Sequence, residues 1–490
     1  MDRKTLGEIA ASLERIAMDR SLLEDVPAEE RERFLKAVAN VYHPDRVERR
    51  RMSKVVDKQR KAARVRGDDH VLHETGIRAL RRKPVFTTPN YFLPPDGPPE
   101  GSPYEQTINS QPPSSNSEGN DGSQELQHCY VCKEKYTEIH HFYDQLCPSC
   151  AAFNYRKRTE LADLRGRVAL LTGGRVKIGY QAGLKLLRCG AHLIVTTRFP
   201  RDASSRYAQE PDCDEWRDRL TIFGLDLRHT PSVEAFCHEL LTTRRRLDFI
   251  INNACQTVRR PPAFYRHMVE REEAALLAVE AGRIGVSPFQ PVAARLSQVA
   301  LLPEDAPGQV DLFPRGQLDQ DLQQVDLRGR NSWRLMLHEV SSVELLEVHL
   351  VNAIAPFVIN ARLKALMLRT PERDKHIVNV SAMEGQFYRN FKTTRHPHTN
   401  MAKAALNMMT RTSAADYQGS GIHMNSVDTG WVTDEDPAEL AARKTAEQRF
   451  HPPLDIVDGG ARIVDPIVSG FNSGNHVWGQ FLKDYAPTEW

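Results

Sequence analysis

The sequence predicts an α/β chain in which a large body built on parallel strands follows a helical region and a small metal-binding module. Three observations predict it. Val168-Ala-Leu-Leu-Thr172 is a short apolar run, Gly173-Gly174-Arg175-Val176-Lys177-Ile178-Gly179 is a glycine-bearing turn, Ala182, Leu184, Leu186 and Leu187 follow in a helical pattern, and a second apolar run ends at Arg198: strand, turn, helix, strand. Near the N-terminus Leu6, Ile9, Ala10, Leu13, Ile16 and Ala17 recur at the spacing of one helix face, and Phe34, Leu35, Val38 and Val41 repeat it. Between these regions stand two Cys-x2-Cys pairs.

Composition bounds the rest. With 490 residues, the chain has room for several domains. Lys+Arg is 66 and Asp+Glu is 64, a formal net charge of +2, which argues against a protein that coats nucleic acid. A mean hydropathy of -0.51 implies that part of the length lies outside a packed core. No run of 18 apolar residues occurs, so no membrane span is expected, and Met1-Asp2-Arg3-Lys4 leads into a charged amphipathic pattern unlike a secretory leader. Eight cysteines are too few for a disulfide scaffold, and a reducing, cytoplasmic location fits them.

Four segments follow. Residues 1–93 read as helical and basic: Arg46 to Lys83 carries 14 Lys/Arg against 5 Asp/Glu, either a solvated helical face or a docking surface for an acidic partner or nucleic acid, the last without interleaved aromatics to support it. Residues 94–125, with Pro94-Pro95-Asp96-Gly97-Pro98-Pro99 and Pro112-Pro113-Ser114-Ser115, read as a flexible linker, because this composition buries too little apolar surface to order itself. Residues 126–157 hold Cys129, Cys132, Cys147 and Cys150, the pairs separated by 14 residues. Four thiolates converging from two knuckles suit a tetrahedral Zn2+; an Fe–S cluster is the alternative, and His140 and His141 could substitute for a cysteine. With four protein ligands no coordination position is open, so the metal is expected to be structural, and the module could also present a partner surface. Residues 160–490 are the body.

In the body the motifs resemble the short-chain dehydrogenase/reductase family, in family order. Thr172-Gly173-x3-Lys177-Ile178-Gly179 resembles its glycine turn, with Gly174 and Arg175 inside it; Gly224-Leu225-Asp226-Leu227 its adenine-contacting segment; and Asn252-Asn253-Ala254-Cys255 its NNAG strand end. Asn352, Ser381, Lys403 and Asn425-Ser-Val-Asp-Thr429-Gly430 resemble its active-site asparagine, serine strand, active-site lysine and nicotinamide segment. The resemblance implies a doubly wound parallel sheet of the Rossmann type, a dinucleotide held by these residues, and an oligomer. The second strand ends in Arg198 rather than in an acid, which favours NADP over NAD, since an acid there binds the ribose 2′-hydroxyl and repels a 2′-phosphate.

The chain departs from the pattern at the chemistry. Lys177 stands where a glycine is usual; its side chain could obstruct the pyrophosphate or pair with it. Four residues before Lys403 the family has a tyrosine and this chain has Thr399, while Ala382 aligns with the usual serine, so that Ser381 serves only if the strand end shifts by one residue. His396, His398 and Tyr388 stand near the gap as substitutes. Between Cys255 and Asn352 lie 96 residues, and the polar stretch of about 280–330 reads as a largely disordered or lid-like insertion. Trp333, Leu335 and Leu337 are expected to start the helix to Asn352. The expected function is an NADP-dependent oxidoreductase acting on a small molecule, with Asn352, Ser381, Thr399 and Lys403 at its catalytic centre. The alternative is a degenerate relative that binds dinucleotide and works as a sensor or scaffold.

Overall fold

A computed structural model describes residues 2–42, 68–88, 122–277, 285–287, 289, 293–305, 310–388, 392–448 and 451–490. The chain divides into two compact units, Met1–His70 and Val71–Trp490. In the first, α1 (Arg3–Met18) starts at Asp2, whose carboxylate accepts the Thr5 N–H at 2.8 Å, and α2 (Ala28–Tyr42) opens with Glu29 and Glu30, acids that suit the positive end of a helix. Leu6 and Ile9 of the expected apolar face are exposed. Most of the basic run and of the linker lie outside the described residues.

The second unit begins earlier than the linker reading implies. Helix α3 (Gly76–Arg82) packs with the cysteine module: the Gly76 and Ile77 N–H groups donate to the His141 and Phe142 carbonyls at 2.9 Å each, and Ile77 is buried. The module itself is an antiparallel pair, β1 (Gly122–His128) and β2 (Lys135–Glu138), followed by α4 (Pro148–Thr159), so the last residues assigned to the linker are strand. It is not a free-standing appendage. Its apolar residues Tyr136, Phe142, Tyr143 and Leu146 share one cluster with Val432, Leu454 and Ile456. Buried Arg158 pairs with Asp455 at 2.7 Å and Asp458 at 2.8 Å.

The body is a sheet of nine described strands in the order β11-β10-β9-β8-β6-β3-β4-β5-β7. These are β3 (Val168–Thr172), β4 (His192–Thr197), β5 (Leu220–Gly224), β6 (Phe249–Asn252), β7 (Gly285–Val286), β8 (Lys375–Ser381), β9 (Ile422–Asp428), β10 (Phe481–Lys483) and β11 (Ala486–Thr488). All neighbours run parallel except the terminal β10–β11 hairpin. Helices cover both faces, which is why strands such as β8 are buried throughout. On one face α5 (Lys177–Arg188) packs with α13 (Ile456–Ser473); on the other α7 (Thr230–Thr243) packs with α10 (Ala355–Met367) and α11 (Pro397–Gly419). Further helices are α6 (Pro200–Tyr207), α8 (Pro262–Leu277), α9 (Ser342–His349) and α12 (Ala438–Gln448), and Cys213–Trp216 forms a single helical turn. The doubly wound sheet is as the sequence predicts.

Two expectations change. The helix to Asn352 starts at Ser342 rather than Trp333, because Ser341 caps it through the Glu344 N–H at 3.1 Å. That helical run, Ser342–Met367, is long and apolar enough to cross a membrane, yet Val358, Ile359, Leu363 and Leu366 pack it into the core. The described part of the insertion is ordered rather than largely disordered. Arg259 clamps Asp305 with bonds of 2.8 and 2.6 Å, Phe313 is buried, and Arg206 donates to the Asp321 and Leu322 carbonyls at 3.1 and 3.0 Å. Its polar residues satisfy one another and the body, so a low apolar content does not leave it loose.

Candidate functional site

The four cysteine sulfurs of the module lie within 4.8 Å of one another, and Cys132 Sγ and Cys147 Sγ are 3.6 Å apart. A tetrahedron with Zn–S bonds of ~2.3 Å has edges of ~3.8 Å, so the arrangement could hold such an ion. His140 is turned away: its Nδ1 faces the Phe142 N–H at 3.1 Å. Tyr130 and Lys133, on the first knuckle, reach out of the module. The Tyr130 hydroxyl accepts the Trp431 N–H at 3.0 Å, and burial pushes its pKa up.

A cleft of about 1000 Å3 opens at the carboxyl ends of β3, β4, β6, β8 and β9. This is where ligands bind in open α/β sheets, because the strand order reverses there and helix N-termini point in. It gathers Gly173, Arg175, Lys177, Ile178, Gly179, Arg198, Asp226, Leu227, Asn253, Ala254, Ser381, Lys403, Thr429 and Gly430. Gly173 has φ +70°, and a Cβ there would sit 2.9 Å from Ala254 Cα; a Cβ on Gly179 would lie 2.3 Å from Asn253 Nδ2. Only glycine therefore leaves the turn as close to the β6 end as it is. The Thr172 hydroxyl accepts the Ala254 N–H at 3.0 Å and ties the two strand ends from behind. Gly174 packs against Val195 rather than lining the cleft. The residues present fit a dinucleotide.

The side of the cleft at the ends of β4 and β5 is basic. Arg198 donates to the Tyr265 hydroxyl at 2.8 Å, Arg228 pairs with Asp226 at 2.7 Å, and Arg260 pairs with Asp326. Burial raises the Tyr265 pKa, but Arg198, Arg260 and Arg228 outweigh it and draw the phenol below its ordinary value, which registers a positive field at this spot. Asp226 is engaged by Arg228 and lies on a different strand end from Arg198. Arg175, in the glycine turn, pairs with Asp202 at 2.7 Å. Lys177 has φ +55° and points at Asp321 of the insertion, 3.8 Å away. Burial disfavours its charge, but Glu435, Asp321 and Asp319 hold its pKa above the usual lysine value.

At the other end Lys403 Nζ donates to the Val380 carbonyl at 2.8 Å, and the Ser381 hydroxyl is buried without a hydrogen-bond partner. Asn352 sits in a π-helical segment, Leu350–Ile354, a distortion frequent at functional sites. It does not line the cleft; its Oδ1 accepts the N–H of Gln256, which does, at 2.7 Å. Asp428 accepts the Met383 and Gly430 N–H groups at 2.8 and 2.7 Å, joining the β8 and β9 loops, and burial raises its pKa. Thr399, expected at the catalytic centre, is 3% exposed and does not line the cleft; a threonine is too short to reach where a phenol would. His398 is buried beside Glu344, 3.4 Å away, and Tyr388 is exposed outside the cleft, whereas His396, Asn400 and Trp333 line it.

Comparison with known proteins places the fold in a family. Residues 167–274 match the family model described as short chain dehydrogenase, and residues 330–453 match the one described as Enoyl-(Acyl carrier protein) reductase. An uncharacterized protein of Acanthamoeba polyphaga mimivirus is 32% identical over 374 residues, 73% of this chain and 75% of that protein. The chain belongs to the short-chain dehydrogenase/reductase family. Dehydrogenase/reductase SDR family member 13 of Bos taurus is 34% identical over 105 residues, 21% of this chain and 28% of that protein. A solved short chain dehydrogenase from Burkholderia cenocepacia, in complex with NADP, is 17% identical with a TM-score of 0.41, covering 66% of this chain and 97% of that one. Within this short-chain dehydrogenase/reductase several cleft residues escape sequence reasoning. Tyr130 and Lys133 come from the cysteine module, Arg228, Arg260 and Tyr265 from loops and a helix near the ends of β4 and β5, Asp319 and Gln323 from the insertion, and Lys483 from β10. No local pattern marks them; tertiary packing brings them in.

Proposed function

We propose that the chain is an NADP-dependent oxidoreductase that interconverts a small alcohol and its carbonyl compound, and that its cysteine module holds a structural Zn2+. The observation that carries the cofactor choice is the cluster of Arg198, Arg228 and Arg260 around Tyr265, with no acid at the end of β4 to take the ribose hydroxyls. Gly173, Gly179, Asn253 and Ala254 would hold the pyrophosphate and ribose, Lys403 the nicotinamide ribose, and Thr429 and Gly430 the nicotinamide. The bound dinucleotide supplies hydride chemistry; the chain binds it, orients it and moves the proton. Asn352 acts as a positioning residue through Gln256. Four converging thiols, the only such ligand group among the described residues, with no open position among them, support a metal that staples rather than reacts. Such a thiolate site is suited to a reducing, cytoplasmic setting.

The test is turnover of NADP+ with a panel of primary and secondary alcohols, cyclohexanol included, followed by NADPH absorbance. Turnover lost in Lys403→Ala supports the assignment; activity unchanged in that variant contradicts it. A second reading, a dinucleotide-binding sensor or scaffold without turnover, is favoured by Thr399 and Ala382 at the usual tyrosine and serine positions. NADPH binding with no turnover of any substrate would select it. A protein partner at the N-terminal helices or the cysteine module, and a homo-oligomer, accompany either reading.

A further inference from the structure

Four residues before Lys403 stands Thr399 rather than a tyrosine, and the two tyrosines that line the cleft are engaged elsewhere, the Tyr130 hydroxyl with the Trp431 N–H at 3.0 Å and the Tyr265 hydroxyl with Arg198 at 2.8 Å, so another group must take a proton from a substrate hydroxyl. We propose that His396 is the proton-transferring residue of this cleft, and that Trp333, on the segment that follows the insertion, is the positioning residue that holds its ring. The proposal rests on the oxidoreductase reading above.

Four observations carry it. His396 lines the same cleft as Ser381, Asn400 and Lys403, although it is 6% exposed. Its Nδ1 is buried and is not tied up by a hydrogen bond within the described residues, while the Asn400 side chain beside it favours the charged ring. Its ring lies flat on Trp333, with centroids 3.8 Å apart and planes 3° from parallel. Its backbone is left-handed, φ 40° and ψ 48°, at the cap of α11, and its N–H donates to the Leu335 carbonyl at 2.8 Å. A non-glycine residue in that conformation is held there by its surroundings, and here the hold comes from Trp333 and Leu335 of one short segment. Neither neighbour competes. His398 faces Glu344 away from the cleft, and Thr399 does not reach it.

The charged and polar groups around the imidazole are Glu384 on the turn after β8, His398, Asn400 and Lys403 on its own helix, Lys392 and Arg395 on the loop before it, and Arg334 beside Trp333, where Arg395 donates to the Arg334 carbonyl at 3.1 Å. Burial and His398 lower the His396 pKa below 6.5, and Glu384 and Asn400 oppose them without reversing the shift. The ring is therefore a neutral base at neutral pH, suited to alcohol oxidation. In that step the imidazole takes the hydroxyl proton of the alcohol. The carbinol C–H bond breaks, its electron pair leaving as hydride to the oxidised nicotinamide dinucleotide, and the C=O bond forms. The imidazolium then returns its proton to solvent.

The test titrates the His396 ring by NMR in protein labelled on its histidines, with the resonance assigned by its loss in His396→Gln. Oxidised and reduced dinucleotide differ by one positive charge on the ring that reacts. The His396 midpoint is expected below 6.5, and lower with saturating NADP+ than with NADPH by half a unit or more. Identical midpoints in the two complexes would overturn the proposal, because the imidazole would then not face the reacting ring. With cyclohexanol as probe, His396→Gln is expected to lower kcat about 100-fold or more while NADP+ affinity stays within about threefold. Trp333→Phe is expected to lower kcat less and to shift the acidic limb of its pH profile. Wild-type kcat in His396→Gln would also overturn the proposal. Failure of NADP(H) to bind at all removes the oxidoreductase reading and this one together; binding with unmoved His396 midpoints removes this one alone.

Discussion

Arg198→Ala separates the two nicotinamide dinucleotides. The guanidinium stands at the end of β4, bonded to the neutral Tyr265 hydroxyl at 2.8 Å and lying over the Phe199 ring at 5.7 Å. Arg228 and Arg260 nearby are already paired with Asp226 and Asp326, so Arg198 is the member of the cluster whose described hydrogen bond is to a neutral group. A charge-assisted hydrogen bond contributes about 1.5–3 kcal/mol. Removing it from a 2′-phosphate therefore weakens NADPH binding by about 10- to 150-fold. NADH, which has no phosphate there, changes by less than about threefold on the same reasoning. The assay is the NADPH and NADH fluorescence titration of wild type and variant at one ionic strength, because the pairing is salt-sensitive. Equal losses for both nucleotides, or none for NADPH, would refute the placement of the 2′-phosphate at Arg198.

The other predictions concern the frame of the site. Stripping the metal with a chelator is expected to lower the melting temperature and to weaken NADPH binding at the same time, because Tyr130 and Lys133 of the cysteine module line the cleft; metal analysis should find about one zinc per chain, and iron instead would overturn the zinc assignment. Arg158→Met leaves Asp455 and Asp458 buried without their partner, which costs about 3–5 kcal/mol in urea unfolding, and a loss under about 1 kcal/mol would contradict a role for that network in joining module to body. His376 is fully buried, with its Nε2 2.9 Å from His476 Nδ1, and burial, His423 and His476 hold its pKa well below the ordinary value. The unfolded chain then binds the proton first, so stability is full above about pH 6.5 and falls below it by about 1.4 kcal/mol per pH unit from this residue. Urea unfolding of His376→Leu between about pH 6.5 and pH 5 should show a slope shallower by that amount, and an unchanged slope would contradict it.

The sheet was legible because β3, α5 and β4 follow one another with the periods of buried strand and amphipathic helix, and because the glycine turn needs Gly173 and Gly179 for steric reasons visible in the residue types. The four cysteines were legible for the same reason: their spacing is their chemistry. Thr399 and Gly174 show the limit. Each was placed by its offset from a motif, and whether a side chain reaches a cleft depends on its length and on what packs over it. The order of the insertion was hidden because its stability comes from bonds such as Arg259 to Asp305 and Arg206 to the Asp321 carbonyl, between residues 46 and 115 apart in sequence. The docking of the cysteine module was hidden likewise. Arg158 and Asp455 are 297 residues apart, and composition carries no trace of their pairing.

The central claim is a dinucleotide cleft that selects NADP(H). Calorimetric titration of the full chain with NADPH and with NADH tests it most directly. One NADPH per chain, bound tighter than NADH by about tenfold or more, is the predicted result. No heat with either nucleotide, or tighter binding of NADH, would contradict it.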